Sequence, residues 1–388
     1  MNNKSDFFET NKSKPQPKIS RKMILIIVGI LLLLLSIVLV ILFSLNIMSE
    51  SGTLRCIATK PFGIKEEFQF DPNTYDSLDI NLGGYVQNSS IRFERHSSDL
   101  IVIDKKLFAG DRFDINALKA YYVNEDKSYK FTINDGRENT SGHNQYDCFR
   151  ADLTVKIPKS LNIFSYLRMD VYRTDIDLDF DGKLNIDDLK LSVIHGNVKI
   201  INSNVKVSEL TVRHGDLVIK DSRINSSIVK SHLADIKYFN STLSNIKLEN
   251  SHGNVIISNS KLNEIKIDCE HGDIKLNVGG TKKVQLKNSH GDINIEVNDI
   301  QQDVKDVSYE IRNSYGDTAL KFTSLFDNNF FITNNEGSAK LNYKGNKKLI
   351  HILKDEEGTK SGSIGEDQNG INQIKIQNDN EDAQLSFL

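Results

Sequence analysis

From Leu191 the chain repeats itself every 19 residues, six times without a gap: LSVIHGNVKIINSNVKVSE, LTVRHGDLVIKDSRINSSI, VKSHLADIKYFNSTLSNIK, LENSHGNVIISNSKLNEIK, IDCEHGDIKLNVGGTKKVQ and LKNSHGDINIEVNDIQQDV. A fixed period of this length means stacked supersecondary units, because each unit alone is too small to bury its own apolar face. This period constrains the fold more than any bulk property of the chain.

Position by position, the repeat becomes geometry. The first residue of each unit is Leu191, Leu210, Val229, Leu248, Ile267 and Leu286, and the eighth is Val198, Leu217, Ile236, Val255, Ile274 and Ile293. The tenth is Ile200, Ile219, Tyr238, Ile257, Leu276 and Ile295, so positions eight and ten alternate as a strand with one buried face does. The sixth is Gly196, Gly215, Ala234, Gly253, Gly272 and Gly291, where a residue with little or no side chain fits a sharp corner, and the seventh is always Asn or Asp. Each unit therefore reads strand, corner, strand, turn. A helix would need apolar spacings of three and four and would not carry glycine amid β-branched runs. The expected fold is all-β: a single-chain β-solenoid with 19-residue coils rising about 4.8 Å each, preceded by one N-terminal transmembrane helix. Asn202, Asp221, Asn240 and Asn259 recur at position twelve, where their side chains are expected to stack at a second turn.

Weaker coils flank the strict ones, which run over 191–304 within a regular region of 171–388. VYRTDIDL at 171 and SYGDTALKF at 314 keep the corner, EGSAKLNY at 336 echoes it, and SGSIGEDQNGINQIKIQ from 361 reads as a polar C-terminal cap. Upstream, 52–170 reads as an irregular N-terminal β region of degenerate coils, with KEEFQF, SLDINL, IRFERHSSDLIVID, YKFTIND and FRADLTVKIP as strands and a loop insertion near 105–146.

Residues 23–48 contain 22 uncharged, almost wholly aliphatic positions from Ile24 to Leu45, enough for a helix to span a hydrocarbon core about 30 Å thick. A signal peptide has a shorter apolar region and a small-residue cleavage site, whereas the exit here reads SLNIMSESG. The reading is therefore an uncleaved span. The tail 1–22 carries six bases against two acids, so positive charge precedes the span and places the N-terminus in the cytoplasm and the rest outside. The tail's +4 leaves −7 for the remainder of a chain whose total is −3. An acidic outer part speaks against a nucleic-acid partner. PQPKISRK in the tail could touch anionic lipid heads, although topology alone accounts for its charge.

The chemistry-bearing residues are sparse. Cys56, Cys148 and Cys269 form no C-x-x-C or mixed Cys/His spacing, and Cys56 and Cys148 read equally well as a disulfide or as two isolated buried thiols. There is no G-x-S-x-G, H-E-x-x-H or phosphate loop, and GGTKKV at 279 does not match the calcium-binding nonapeptide pattern. No cofactor and no catalytic residue is expected, although exposed pairs such as Glu310 and Arg312 resemble the clustered charges that some β-helices use on polysaccharides. His195, His214, His252, His271 and His290 share position five and should form a column. Three readings compete: packing at the corner, a pH-dependent stability element with Asp216, Asp273 and Asp292 offsetting charge, and a transition-metal site. That position five also holds Leu233 and, in a later coil, Tyr315 favours packing.

The anchor, the phrase LTVKIPKSLNIFSYLRMDVYRTDIDL, the S-H-G-D-I coils and the closing SGSIGEDQNGINQIKIQ together resemble the LiaG-like putative-adhesin family, membrane-anchored β-strand-repeat envelope proteins of Gram-positive bacteria. The likeness covers about 55–385, and it departs from the family's commoner S-G-D-I by placing histidine before glycine. It implies an envelope location and a repeat architecture, and it carries no catalytic residues. Two functional readings follow. One is a non-enzymatic extracellular scaffold or adhesin presenting faces such as Lys199, Lys237 and Lys275 to cell-wall polymer or a membrane protein. The other is a regulatory component of an envelope-stress response acting on a membrane sensor.

Overall fold

The computed structural model describes residues 60–73, 76–83, 88–109, 119–125, 128–134, 149–298, 307–323, 328–334, 339–343, 350–356, 359–364 and 373–387. All lie within the unit Ala58–Leu388. The basic tail, the expected span and Cys56 and Cys148 fall outside them. The described residues are β throughout, and none of them forms a helix long and apolar enough to cross a membrane.

In the strict repeats a unit supplies one long and one short strand, except that Val255–His271 runs as one continuous strand. Asn185–His195 is followed by Val198–Ile201, Asn204–His214 by Leu217–Lys220, and Arg223–Leu233 by Ile236–Phe239. Successive units pair in parallel with residue n against n + 19, so that Leu191 meets Leu210, Leu210 meets Val229 and Val229 meets Leu248. Every residue at positions one, eight and ten of the six units is at most 3% exposed, so the apolar columns form one continuous interior. β-branched and leucine side chains suit this environment because each stacks on its own kind one layer away.

The long strand bends once. Lys206, Asn225, Ser244 and Asn263, at position sixteen, drop out of the pairing register. Alternation breaks there: Val205 and Ser208 are buried, while Lys206 and Val207 between them both face outward. The turn after the short strand is set by Asn202, Asp221, Asn240 and Asn259, whose φ values of 49 to 52° are left-handed, a region that Asn and Asp tolerate better than other side chains. The expected stacking is partly realised, with Asn240 Nδ2 donating to Asp221 Oδ1 at 3.2 Å and Asn202 Nδ2 to Asp179 Oδ1 at 3.1 Å. Beside this turn runs a buried serine column. Ser203, Ser222 and Ser241 each donate a backbone N–H to the next layer's serine Oγ at 3.1 to 3.3 Å.

At both ends the stacking order leaves the chain order. Ser77–Leu82 lies between Ser128–Asn134 and Ile163–Val171, and Ser89–His96 lies between Phe149–Pro158 and Thr174–Asp179. At the other end Gln373–Asn378 inserts between Ser308–Tyr315 and Asn328–Asn334, and Ala383–Phe387 between Thr318–Phe322 and Ala339–Tyr343. The closing segment is thus an inner layer, and antiparallel pairs lie beyond it: Asn328–Asn334 with Thr359–Ile364, and the latter with Ile350–Glu356. Antiparallel pairs also flank the first layers, and within the loop insertion expected near 105–146 the strand read at YKFTIND, Ser128–Asn134, is joined in a hairpin by Lys119–Glu125.

The glycine corner shows why its residue is nearly fixed. Gly253 has φ +116°, and a Cβ on it would lie 2.3 Å from the carbonyl oxygen of Ala234 in the layer below. Ala234, the exception, does not have a positive φ and is buried at 4% exposure. Gly253→Ala should therefore destabilise the chain by about 3 kcal/mol or more, from backbone strain and overlap together. Ala234→Gly should cost no more than about 1 kcal/mol. Urea titrations of the two variants check the pair, and equal losses would contradict the geometry.

Candidate functional site: the corner columns

Each corner delivers three side chains into columns that run from layer to layer. The outermost is aromatic. His195 stacks on His214 at 4.5 Å with planes 13° apart, His252 on His271 at 4.7 Å and 3°, and His271 on His290 at 4.6 Å and 1°. Tyr172 closes one end edge-on at 5.4 Å, and Tyr315 stacks on His290 at 4.9 Å. In the third unit, where position five is Leu233, the ring of His232 fills the gap edge-on, 6.2 Å from His214 and 5.7 Å from His252. Leu233 itself points outward at 45% exposure. The column is a surface feature, since His195 and His214 are half-buried and His252, His271 and His290 are exposed.

Near-parallel stacking directs the in-plane lone pairs of neighbouring rings along parallel lines, whereas a metal needs them to converge at about 2.0 to 2.1 Å. Among the described residues no group of three or more His, Cys, Asp and Glu side chains is gathered for such an ion. His195 titrates below the ordinary imidazole value, chiefly because burial disfavours its charged form, with His214 and Arg173 adding like-charge repulsion.

The second column is the Asn/Asp at position seven. Asn197 Oδ1 accepts the backbone N–H of Asp216 at 2.9 Å, Asp235 Oδ1 that of Asn254 at 2.9 Å, and Asn254 Oδ1 that of Asp273 at 2.9 Å. Asp273 and Asp292 continue it to Asp292 and Asp317 at 3.1 and 3.0 Å. Asp273 and Asp292, expected to offset imidazolium charge, are thus committed to the next layer's backbone, because the corner leaves an N–H that needs an acceptor. Burial pushes the Asp235 carboxyl up, and the Asn254 N–H and Lys237 outweigh it and hold it below its ordinary value.

The third column, at position three, is one that periodicity did not reveal. Asn250 Nδ2 donates to the carbonyls of Ala234 and Gly253 at 3.3 and 2.9 Å, and Asn288 Nδ2 to those of Gly272 and Gly291 at 3.1 and 3.0 Å. Asn313 repeats the pattern on Gly291 and Gly316. One amide thus ties the corners of two layers. The signal was present as N-S-H-G at 250 and 288 and N-S-Y-G at 313. Cys269 occupies the same column between Asn250 and Asn288, and burial pushes its thiol up to about 11.

The remaining sequence candidates are less organised. Lys237 bridges Asp216 and Asp235 at 3.1 Å each, and Lys275 pairs with Asp273 at 3.1 Å. Lys199 makes no ion pair among the described residues, and Glu310 and Arg312 form an isolated surface pair at 2.6 Å.

A parallel, in-register β repeat with asparagine- and aspartate-capped corners is a structural stack, and its class is matched by sequence. The Toastrack family, DUF4097, matches residues 116–278 and again 234–386, and the chain belongs to it. No curated protein matches the chain. Among solved structures it is similar to a putative cell adhesion protein from Clostridium sporogenes at 12% identity, over 85% of this chain and 100% of that one, with a TM-score of 0.18. A putative lipid binding protein from Parabacteroides distasonis matches at 11% identity over 84% and 98% of the two chains, with a TM-score of 0.40. A putative adhesin from Bacteroides fragilis matches at 12% identity over 84% and 99%, with a TM-score of 0.30.

The depressed His195 value fixes the sign of a pH effect. Its contribution to stability is full above the unfolded-state value near 6.5 and is lost as pH falls through the folded value, because the unfolded chain takes up its proton first. Denaturation midpoints should therefore drop between about pH 7 and pH 5, and His195→Gln should reduce that drop. A midpoint that stays constant across the window would contradict this.

Proposed function

We propose that the protein is a non-enzymatic, membrane-anchored extracellular scaffold of the bacterial cell envelope, an adhesin-like β-solenoid held by the span at 23–48 with its C-terminal part outside. The LiaG-like envelope proteins are the subgroup it resembles. The observation that carries the reading is the commitment of the recurring polar groups. The Asp, Asn and Ser columns are used to satisfy the backbone of adjacent layers, so these recurring groups are committed to holding the stack, and the histidines beside them stack on one another rather than converging on a site. What varies from layer to layer is the outer face, as a presenting surface requires. The adhesin-like names of structural neighbours agree with this reading without carrying it.

The test is retention of the purified full-length chain, in mild detergent, on isolated cell wall and on solubilised membrane fractions. Specific retention on wall material is the expected outcome. Recovery of a single membrane protein in place of wall polymer would replace the scaffold with a regulatory role at a membrane sensor.

A further inference from the structure

At the C-terminal end the layers do not stack in the order in which the chain makes them. Gln373–Asn378 and Ala383–Phe387 lie directly on Ser308–Tyr315 and Thr318–Phe322, while the earlier strands Asn328–Asn334 and Ala339–Tyr343 lie one layer further out. Thr359–Ile364 pairs in turn with Asn328–Asn334, and Ile350–Glu356 with Thr359–Ile364. Among the described residues, no strand between Asn328 and Ile364 pairs with any strand that precedes it outside this group. Strand pairing therefore joins that whole stretch to the stack through residues 373–387.

The closing segment is matched to the layer beneath it. Its inward side chains, Ile374, Ile376, Asn378, Ala383, Leu385 and Phe387, are at most 1% exposed, and Phe387 stacks on Phe322 at 5.2 Å with planes 16° apart. It also repeats the corner's own hydrogen bonds. Asn378 Nδ2 donates to the carbonyls of Gly316 and Asp382 at 2.9 and 3.0 Å, and the Asp382 N–H donates to Asp317 Oδ1 at 3.2 Å. Asn380 Nδ2 adds a bond to the Ser314 carbonyl at 2.7 Å. On its other side the segment receives the outer layer, with Thr333 Oγ1 donating to the Ile376 carbonyl at 3.5 Å and Lys340 paired with Asp382.

In a stacked repeat each layer is stabilised by its neighbours, so a layer held between two others cannot leave without freeing the one beyond it. We propose that residues 373–387 form an exchangeable latch on this end of the stack. Seated, the latch holds the outer layer and its antiparallel strands in place. Released, it frees all of them together and leaves Ser308–Tyr315 and Thr318–Phe322 as a groove with an open row of N–H and C=O groups, a template for a parallel strand. The partner that fits this groove is the closing segment of a second copy of the chain, because register, apolar alternation and the Asn378 amide are matched to it residue by residue.

The test is amide hydrogen exchange of the full-length chain in mild detergent. Ile376→Asp puts a carboxylate at an inward position that is 0% exposed. Protection of Asn328–Asn334, Ala339–Tyr343 and Thr359–Ile364 should fall together, by at least about a hundredfold, while Asn204–His214 and Thr242–His252 in the strict repeats keep theirs. Lys375→Gln, on the same strand but facing outward, should leave the pattern unchanged. Adding an excess of a peptide of the wild-type residues 373–387 to the Ile376→Asp chain should restore protection of the outer strands, and the same peptide carrying Ile376→Asp should not. Retained protection of Asn328–Asn334 in the Ile376→Asp chain would overturn the latch, as would a loss that spreads through the strict repeats. Failure of the wild-type peptide to restore the outer strands would overturn exchange with a second copy.

Discussion

The rest of the structure depends on one close approach. At every glycine corner the backbone of one layer comes within about a van der Waals radius of where the next layer's Cβ would be, with separations of 2.1 to 2.4 Å from the carbonyl oxygen below. This contact lets the parallel hydrogen-bond ladder continue around the corner, as in Gly215 N–H to the carbonyl of Leu233 and Gly253 N–H to that of His271. A side chain at that point would force the layers apart. The two polar columns beside it follow as consequences. Turning the chain so sharply leaves one N–H and the glycine carbonyl of a layer without strand partners; position seven accepts for the first, and where position three is asparagine its amide donates to the carbonyls of two adjacent corners. The corner is one device with three residues.

This explains how much was legible in the sequence. Columns that are apolar for one reason, such as Val198 through Ile293, appear as periodicity, and the strand-corner-strand-turn unit followed from them. Columns whose role changes with depth do not. Position three is Val193 and Val212 in the first layers, Ser231 next, then Asn250, Cys269 and Asn288, so averaging hides the amide that bridges two corners. The bend was also concealed, because a single outward residue such as Asn225 or Ser244 looks like ordinary alternation until its partners drop out of register. The ends were the least legible. Intercalation of Gln373–Asn378 between earlier strands is a long-range pairing, and local pattern carries no information about which layer a late strand will join.

The histidines and the aspartates of H-G-D look alike as recurring residues, yet the structure separates them. Removing an Asn254 carboxamide would orphan a backbone N–H, whereas the imidazole column hangs outside the corner and is interrupted by Leu233 without breaking the stack. That His232 then swings its ring into the vacant place means the rings are held by contact with each other more than by the corner.

A repeat built this way divides its residues between two kinds of constraint. Inward positions and the corner are shared by all layers, since each must pair with both neighbours, and they can change only together. Outward positions on the long strand face no such requirement: position nineteen runs from Lys190 through Glu209, Ile228, Lys247 and Lys266 to Gln285. Charge along the outer face can therefore be written layer by layer at little cost to folding. In a run such as Lys247 and Lys266 in adjacent layers with Lys283 in the next, charge is met locally, Lys247 by Glu249 on its own strand and Lys283 by Glu264 in register one layer away, and the columns that hold the layers together are left untouched.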